Sequence, residues 1–145
     1  MKKTTHVLLA AALGSYIGSD IASSLTALTV AGLASLIPDI DVHFKHRRTL
    51  HNIFALSLCI LGAAFLLRYL KVYNTLILEA IAVGWLSHIL ADMLNIQGVR
   101  LLHPFSDASF SLKIARSNNP VLNITLSLLS ITLITLRLKE LLHIA

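Results

Sequence analysis

Five apolar runs, separated by short polar stretches, organise the chain. The first extends from about Thr5 to Gly18 and the second from about Ile21 to Ile37, with Ser19 or Asp20 placed to cap the second. Pro38 cannot continue a helix and throws the acidic residues that follow it into a loop. Thr49 is a fair N-cap for the third run, about Leu50 to Leu70. A fourth spans about Thr75 to Leu94, with Gly98 beyond it as a stop signal. After a polar stretch from Gln97 to Asn119, "SNNP" sets Asn119 at an N-cap and Pro120 at the first position of a fifth helix, which reaches about Leu142.

These lengths predict an all-α chain, and a crossing helix needs about 20 apolar residues. Runs three, four and five meet that length, whereas the first two look short and suit a tilted or incompletely inserted hairpin. The N-terminal "MKKTTHVLLAAALGSYIGSD" has the outline of a signal peptide, but it is read here as a retained first helix. The expectation is one membrane-embedded helical domain over residues 1–145.

Composition strengthens the membrane reading. The chain is 56% hydrophobic and 13% charged, against about 45–50% and 25% for soluble domains. Its net charge of +5 comes from Lys and Arg gathered in short loops. That arrangement suits anionic headgroups and cytoplasmic loops, and no basic stripe interleaved with aromatics suggests nucleic acid. Lys2, Lys3, the "FKHRR" loop and the Arg100–Arg116 loop fall at one face, read as cytoplasmic; Arg68, Lys71, Arg137 and Lys139 run against that count. The single cysteine, Cys59, sits in "LCILGAAFLL" and reads as a small core residue. Small residues in the first two runs allow close helix packing, including packing between copies.

The chemistry concentrates in "IPDIDVHFKHRRTLHN". Asp39 and Asp41 are near enough to share a cation, and two carboxylates so close repel without one. His46 and His51 supply imidazoles, the commonest ligands of zinc-like ions. Arg47 and Arg48 carry the guanidinium forks that grip phosphate, or else anchor the loop to headgroups. In "GWLSHILADMLN", His88 and Asp92 share one side of a helix at i, i+4, where an apolar surrounding makes them costly unless they are paired or coordinated. His6 opens the first run. His103 and His43 are weaker candidates, Asp20 reads first as a cap, and Glu79 is an orphan acid.

If runs two and three form an antiparallel pair, the starts of runs one and three and the ends of two and four fall at one membrane face. One mixed histidine–carboxylate site then accounts for residues that otherwise have no reason to converge.

The chain also resembles the YdjM-like membrane-bound metal-dependent hydrolases. The shared marks are Thr5-His6, "PDID", "HRRTLHN" against an HRG-x-THS box, and "GWLSHILADMLNIQGVRLLHPFS", together reaching about Ser106. The resemblance implies a helical fold related to zinc-dependent phospholipase C and P1-type nucleases. It nominates His6, Asp39, Asp41, His51, His88 and Asp92 as metal ligands, with His46 next. Arg48, Leu50 and Asn52 depart from the glycine, threonine and serine of the box, and His103 stands where the family often has Trp.

The resulting expectation is metal-assisted hydrolysis of a phosphoester on a lipid or lipid-linked substrate through a metal-activated water. Zinc, as one or two ions, is expected, with manganese or iron accepted by the same ligands. Asp39 or Asp41 would act as general base, and Arg47 or Arg48 would hold the phosphate. The alternatives are a non-catalytic protein that binds metal for structure and, third, a transporter or proton relay.

Overall fold

The computed structural model describes residues 1–40, 49–72 and 74–144. Among them are five α-helices and no strands: α1 (Lys3–Ser15), α2 (Ile21–Ala34), α3 (Ile53–Tyr69), α4 (Thr75–Met93) and α5 (Pro120–Ile144). Asp20 caps α2 through a reciprocal box, its side chain accepting from the Ser23 amide while Ser23 Oγ accepts from the Asp20 amide. Asn119 Oδ1 likewise accepts from the Leu122 amide, three residues into the fifth helix, with Pro120 opening it.

Of the boundaries that differ from the sequence reading, two bear on the site. The N-cap of α3 is Asn52 rather than Thr49; Asn52 Oδ1 accepts from the Ala55 amide at 2.8 Å, and its Nδ2 donates back to the Thr49 carbonyl at 2.8 Å. The helix therefore starts three residues late, and His51 precedes the cap instead of lying in the first turn. Gly98 does not end α4, whose C-cap is Leu94. It sits at φ +65° beside an isolated antiparallel bridge between Val99 and Phe110. The polar loop folds back here, and the amides of Leu112 and Ile114 satisfy the Met93 and Leu94 carbonyls that α4 leaves open.

The span lengths differ as well. Ile21–Ile40, Thr75–Met93 and Pro120–Leu142 are long and apolar enough to cross a membrane, while α3 has 17 residues and falls short. The second segment gains its length because Pro38 starts a short 3₁₀ turn instead of an open loop, with the Asp39 and Ile40 amides bonding back to Leu36 and Ile37. Chain composition and these helices make this a membrane protein.

Small residues draw α1, α2 and α4 together. A Cβ on Gly14 would lie 2.6 Å from Ala31 Cβ and 2.7 Å from the Ala27 carbonyl oxygen, and one on Gly84 would overlap the Ala31 carbonyl. Ala27, Ala31 and Ala80 form the buried contact between these helices. The small residues of the first two runs are thus engaged within the chain. α3 instead packs chiefly on α4. Its Leu58, Leu61, Phe65 and Tyr69 are each at least 66% exposed, forming one apolar face.

Far from the N-terminal end of α1, Arg137 of α5 ties the bundle together. It donates to the carbonyls of Ser15 (3.3 Å) and Gly18 (2.7 Å) and pairs with Glu140 (2.8 Å). Its guanidinium also lies 5.5 Å from the Tyr16 ring. A cation on the carbonyls ending a helix complements the dipole. Arg137→Ala is expected to lower stability by about 1.5–3 kcal/mol, read as a fall in melting temperature.

Candidate metal centre

Chain direction decides which residues can meet. Thr5 bonds to Asn123 near the start of α5 while Ser15 bonds to Arg137 near its end, so α1 and α5 run parallel. The start of α1, the turn after α2, the residues before α3 and the last turns of α4 consequently meet at one end of the bundle. His6, Asp39, His51, His88 and Asp92 are the groups they bring there.

The innermost atoms form a compact array. His51 Nε2 and His88 Nε2 are 3.2 Å apart. Each is 3.6 Å from Asp92 Oδ2. Asp39 Oδ1 is 3.9 Å from the first and 3.7 Å from the second. Five of the six edges of this four-atom figure are thus between 3.2 and 3.9 Å. Nitrogen and oxygen ligands about 2.0–2.2 Å from a tetrahedral ion stand roughly 3.3–3.6 Å apart. Imidazole lone pairs and carboxylate oxygens aimed at one another repel, and a proton or cation among them removes the repulsion. On spacing and donor type the residues fit a divalent metal: Asp39, His51 and His88, or His6, His88 and Asp92, could hold one, and His51, His88 and Asp92 share the same close spacing.

Burial grades the donors. The side chains of His51 and His88 are 0% exposed and that of Asp92 is 4%, whereas Asp39 is 15% exposed. Asp39 is therefore the least buried corner.

Asp92 uses both oxygens. While Oδ2 faces His51 and His88, Oδ1 accepts from Asn95 Nδ2 (2.8 Å) and from the Met1 amino group (2.9 Å), and lies 3.3 Å from His6 Nε2. The His6 ring stacks on His88 with centroids 3.8 Å apart. His6 thus stands behind Asp92, beside the four-atom array. Burial holds its imidazole below the ordinary histidine range against the opposing pull of Asp92, which favours the neutral form that a metal would use.

Supporting residues fix these positions. Trp85, one turn before His88, is buried and donates from Nε1 to the Leu50 carbonyl at 3.1 Å, holding the residue next to His51. The Ile53 amide donates to Leu101 and fastens the other side of His51. Asn123 Oδ1 accepts from the Lys2 amide (3.0 Å) and Thr5 Oγ1 (2.9 Å), while its Nδ2 donates to the carbonyls of Ser117 and Asn119. Sequence reading missed Asn95 and Asn123. The first had a signal, since it follows Asp92 at i+3; the second had none. Asn123→Ala should cost about 2–3 kcal/mol by stranding buried donors and reduce metal affinity about tenfold by loosening His6. Parallel melting and metal titration of the variant would test both.

The remaining predicted residues divide in two. Asp41, His43, His46, Arg47 and Arg48 lie outside the described residues. His103 is half-buried and 4.0 Å from Asp107, in the polar loop rather than in the array. Asp20 is a cap, as its first reading had it, and Glu79 is exposed on α4.

No curated protein and no solved structure matches the chain. A family model does, over residues 1–144, and the chain belongs to the YdjM inner membrane protein family.

Proposed function

We propose that this chain is a membrane-bound, metal-dependent hydrolase that cleaves a phosphoester of a lipid or lipid-linked substrate. The observation carrying this reading is the array of Asp39, His51, His88 and Asp92 donors, buried on three corners and partly exposed at Asp39. His51, His88 and Asp92 would hold the ion, a two-histidine, one-carboxylate set of the type that leaves a coordination position open. A zinc-like ion there supplies charge to stabilise a phosphoryl group and lowers the pKa of a water beside it.

The chain's own residues do the rest. Asp39 Oδ1 takes the proton from the attacking water as its oxygen bonds to phosphorus. That proton returns to the departing ester oxygen as the old P–O bond breaks. Asp92, held on Oδ1 by Asn95 and His6, keeps Oδ2 aimed inward. Arg47 and Arg48 would grip the phosphate oxygens. Phosphates of membrane lipids already lie at the depth where helix ends meet water, which favours a lipid substrate.

A second reading follows from the same four atoms. With Asp39 as a fourth ligand the sphere is closed, and the metal is structural. Asp39→Asn separates the two. On the hydrolase reading the purified variant keeps near-stoichiometric zinc but loses about 100-fold or more of its phosphoesterase rate, while His88→Ala loses the zinc itself. A structural site would lose metal in both variants, and wild type would show no turnover on any phospholipid.

A further inference from the structure

A groove of about 670 Å³ is lined in part by near neighbours in sequence of the array residues. Ile37, Phe54, Leu58, Cys59, Trp85, His103 and Pro104 are among the residues that line it. Thr49 and Asn52, at the start of α3, supply polar atoms at one end. Leu58 and Cys59, in the second turn of that helix, make the other end apolar, on the order of 9 Å further along at 1.5 Å per residue.

We propose that this groove takes the first part of one hydrocarbon chain of a lipid whose phosphate lies at the histidine–aspartate array. The inference rests on the phosphoester reading of that array and names what selects its substrate. Continuity is the first support. Ile37 precedes Asp39 by two residues, Asn52 follows His51 directly, and Trp85 is one helical turn from His88. The same backbone that aims the polar atoms therefore forms the apolar wall. The second support is what borders the groove: Leu58 is 73% exposed and continues into the exposed Leu61 and Phe65 face. In a membrane protein that face meets acyl chains, so a lipid tail can enter sideways without crossing water. Third, 670 Å³ lies within the roughly 300–1,000 Å³ usual for small-molecule sites.

Cys59 is the chain's single cysteine, partly exposed, and lines the groove. It reports occupancy without any mutation. The experiment follows maleimide labelling of Cys59 in zinc-loaded wild type held in an amphipathic polymer, so that no free detergent tail competes. Inorganic phosphate and straight-chain alkyl phosphates from butyl to dodecyl are the probes. Occupancy of the groove predicts that the half-protecting concentration falls about threefold to fourfold per added methylene, then levels once the chain outgrows the groove. Inorganic phosphate leaves labelling unchanged. Ala55→Phe, which fills the groove from its α3 wall, should flatten the length dependence.

Protection that is absent or independent of chain length overturns the groove assignment, whatever zinc and phosphate do. Protection by alkyl alcohols as strong as by the phosphates, and unaltered in His88→Ala, keeps the groove as a chain site but removes the phosphoester reading. It would overturn the proposal that the groove selects this site's substrate.

Discussion

If the proposed site holds zinc, Asp92→Asn is expected to lower its affinity by more than about 100-fold, leaving a purified protein with background metal. The expectation comes from how the carboxylate is shared. Oδ2 stands 3.6 Å from both His51 Nε2 and His88 Nε2, so it supplies the negative charge that offsets a dication between two neutral imidazoles. Oδ1 is engaged by Asn95, the Met1 amino group and His6, which together fix the carboxylate plane. Asparagine preserves volume and one acceptor but removes the charge. It must also place an NH₂ either among ligands that need an acceptor or among donors that cannot receive it. The loss should therefore appear in binding more than in unfolding.

Two comparisons make the result specific. Asn95→Ala and His6→Gln act on Asp92 from behind and should weaken binding by about 10–100-fold, the usual range for groups that orient a ligand. Zinc added at 1,000 times the wild-type Kd should stabilise wild type by about 4 kcal/mol and Asp92→Asn by no more than about 1.4 kcal/mol, which a melting curve reads directly. If His6→Gln proved as damaging as Asp92→Asn, the occupied group would be His6, His88 and Asp92, and His6 would be a ligand.

Much of this site was legible before the fold, because its members are residues that an apolar chain cannot carry without a reason. His88 and Asp92 announce themselves by i, i+4 spacing inside a membrane-length helix, and Pro38 marks where Asp39 leaves one. Alternation of apolar runs then brings the right ends together. What sequence could not resolve was competition between equivalent local signals. Thr49 and Asn52 are both good N-caps, and the choice fell to Asn52, whose side chain serves the Ala55 amide and the Thr49 carbonyl together. Span length failed for a related reason: a proline that ends an α-helix can still continue the chain as a 3₁₀ turn. His6 is nominated by its place at the start of the first run and by the Thr5-His6 mark, but that it lies against Asp92 Oδ1 depends on the Asn123 tether from another helix. Periodicity carries no trace of that contact.

Gly84→Ala is expected to destabilise the protein by about 2–3 kcal/mol, and Gly84→Leu to prevent accumulation of folded protein. A methyl group on Gly84 would overlap the Ala31 carbonyl, which is backbone and cannot rotate aside. Relief requires α4 to move away from α2. That motion has a functional reading, because the helices carry opposite sides of the array. His88 is one turn beyond Gly84, and Asp39 follows Ala31 through the turn at Pro38. Widening the pair by even about 1 Å draws His88 Nε2 from its 3.7 Å approach to Asp39 Oδ1, and misplacement of that size suffices to cost about 100-fold in rate. On the hydrolase reading, Gly84→Ala should thus lose both stability and phosphoesterase activity without touching a proposed ligand. Gly62→Ala is the matched control. Nothing lies within 4 Å of a Cβ there, and exchanging a mid-helix glycine for alanine should stabilise α3 by up to about 1 kcal/mol. Equal melting temperatures for Gly84→Ala and wild type would show that α2 and α4 are not held at backbone contact, and that some other constraint sets the distance from Asp39 to His88.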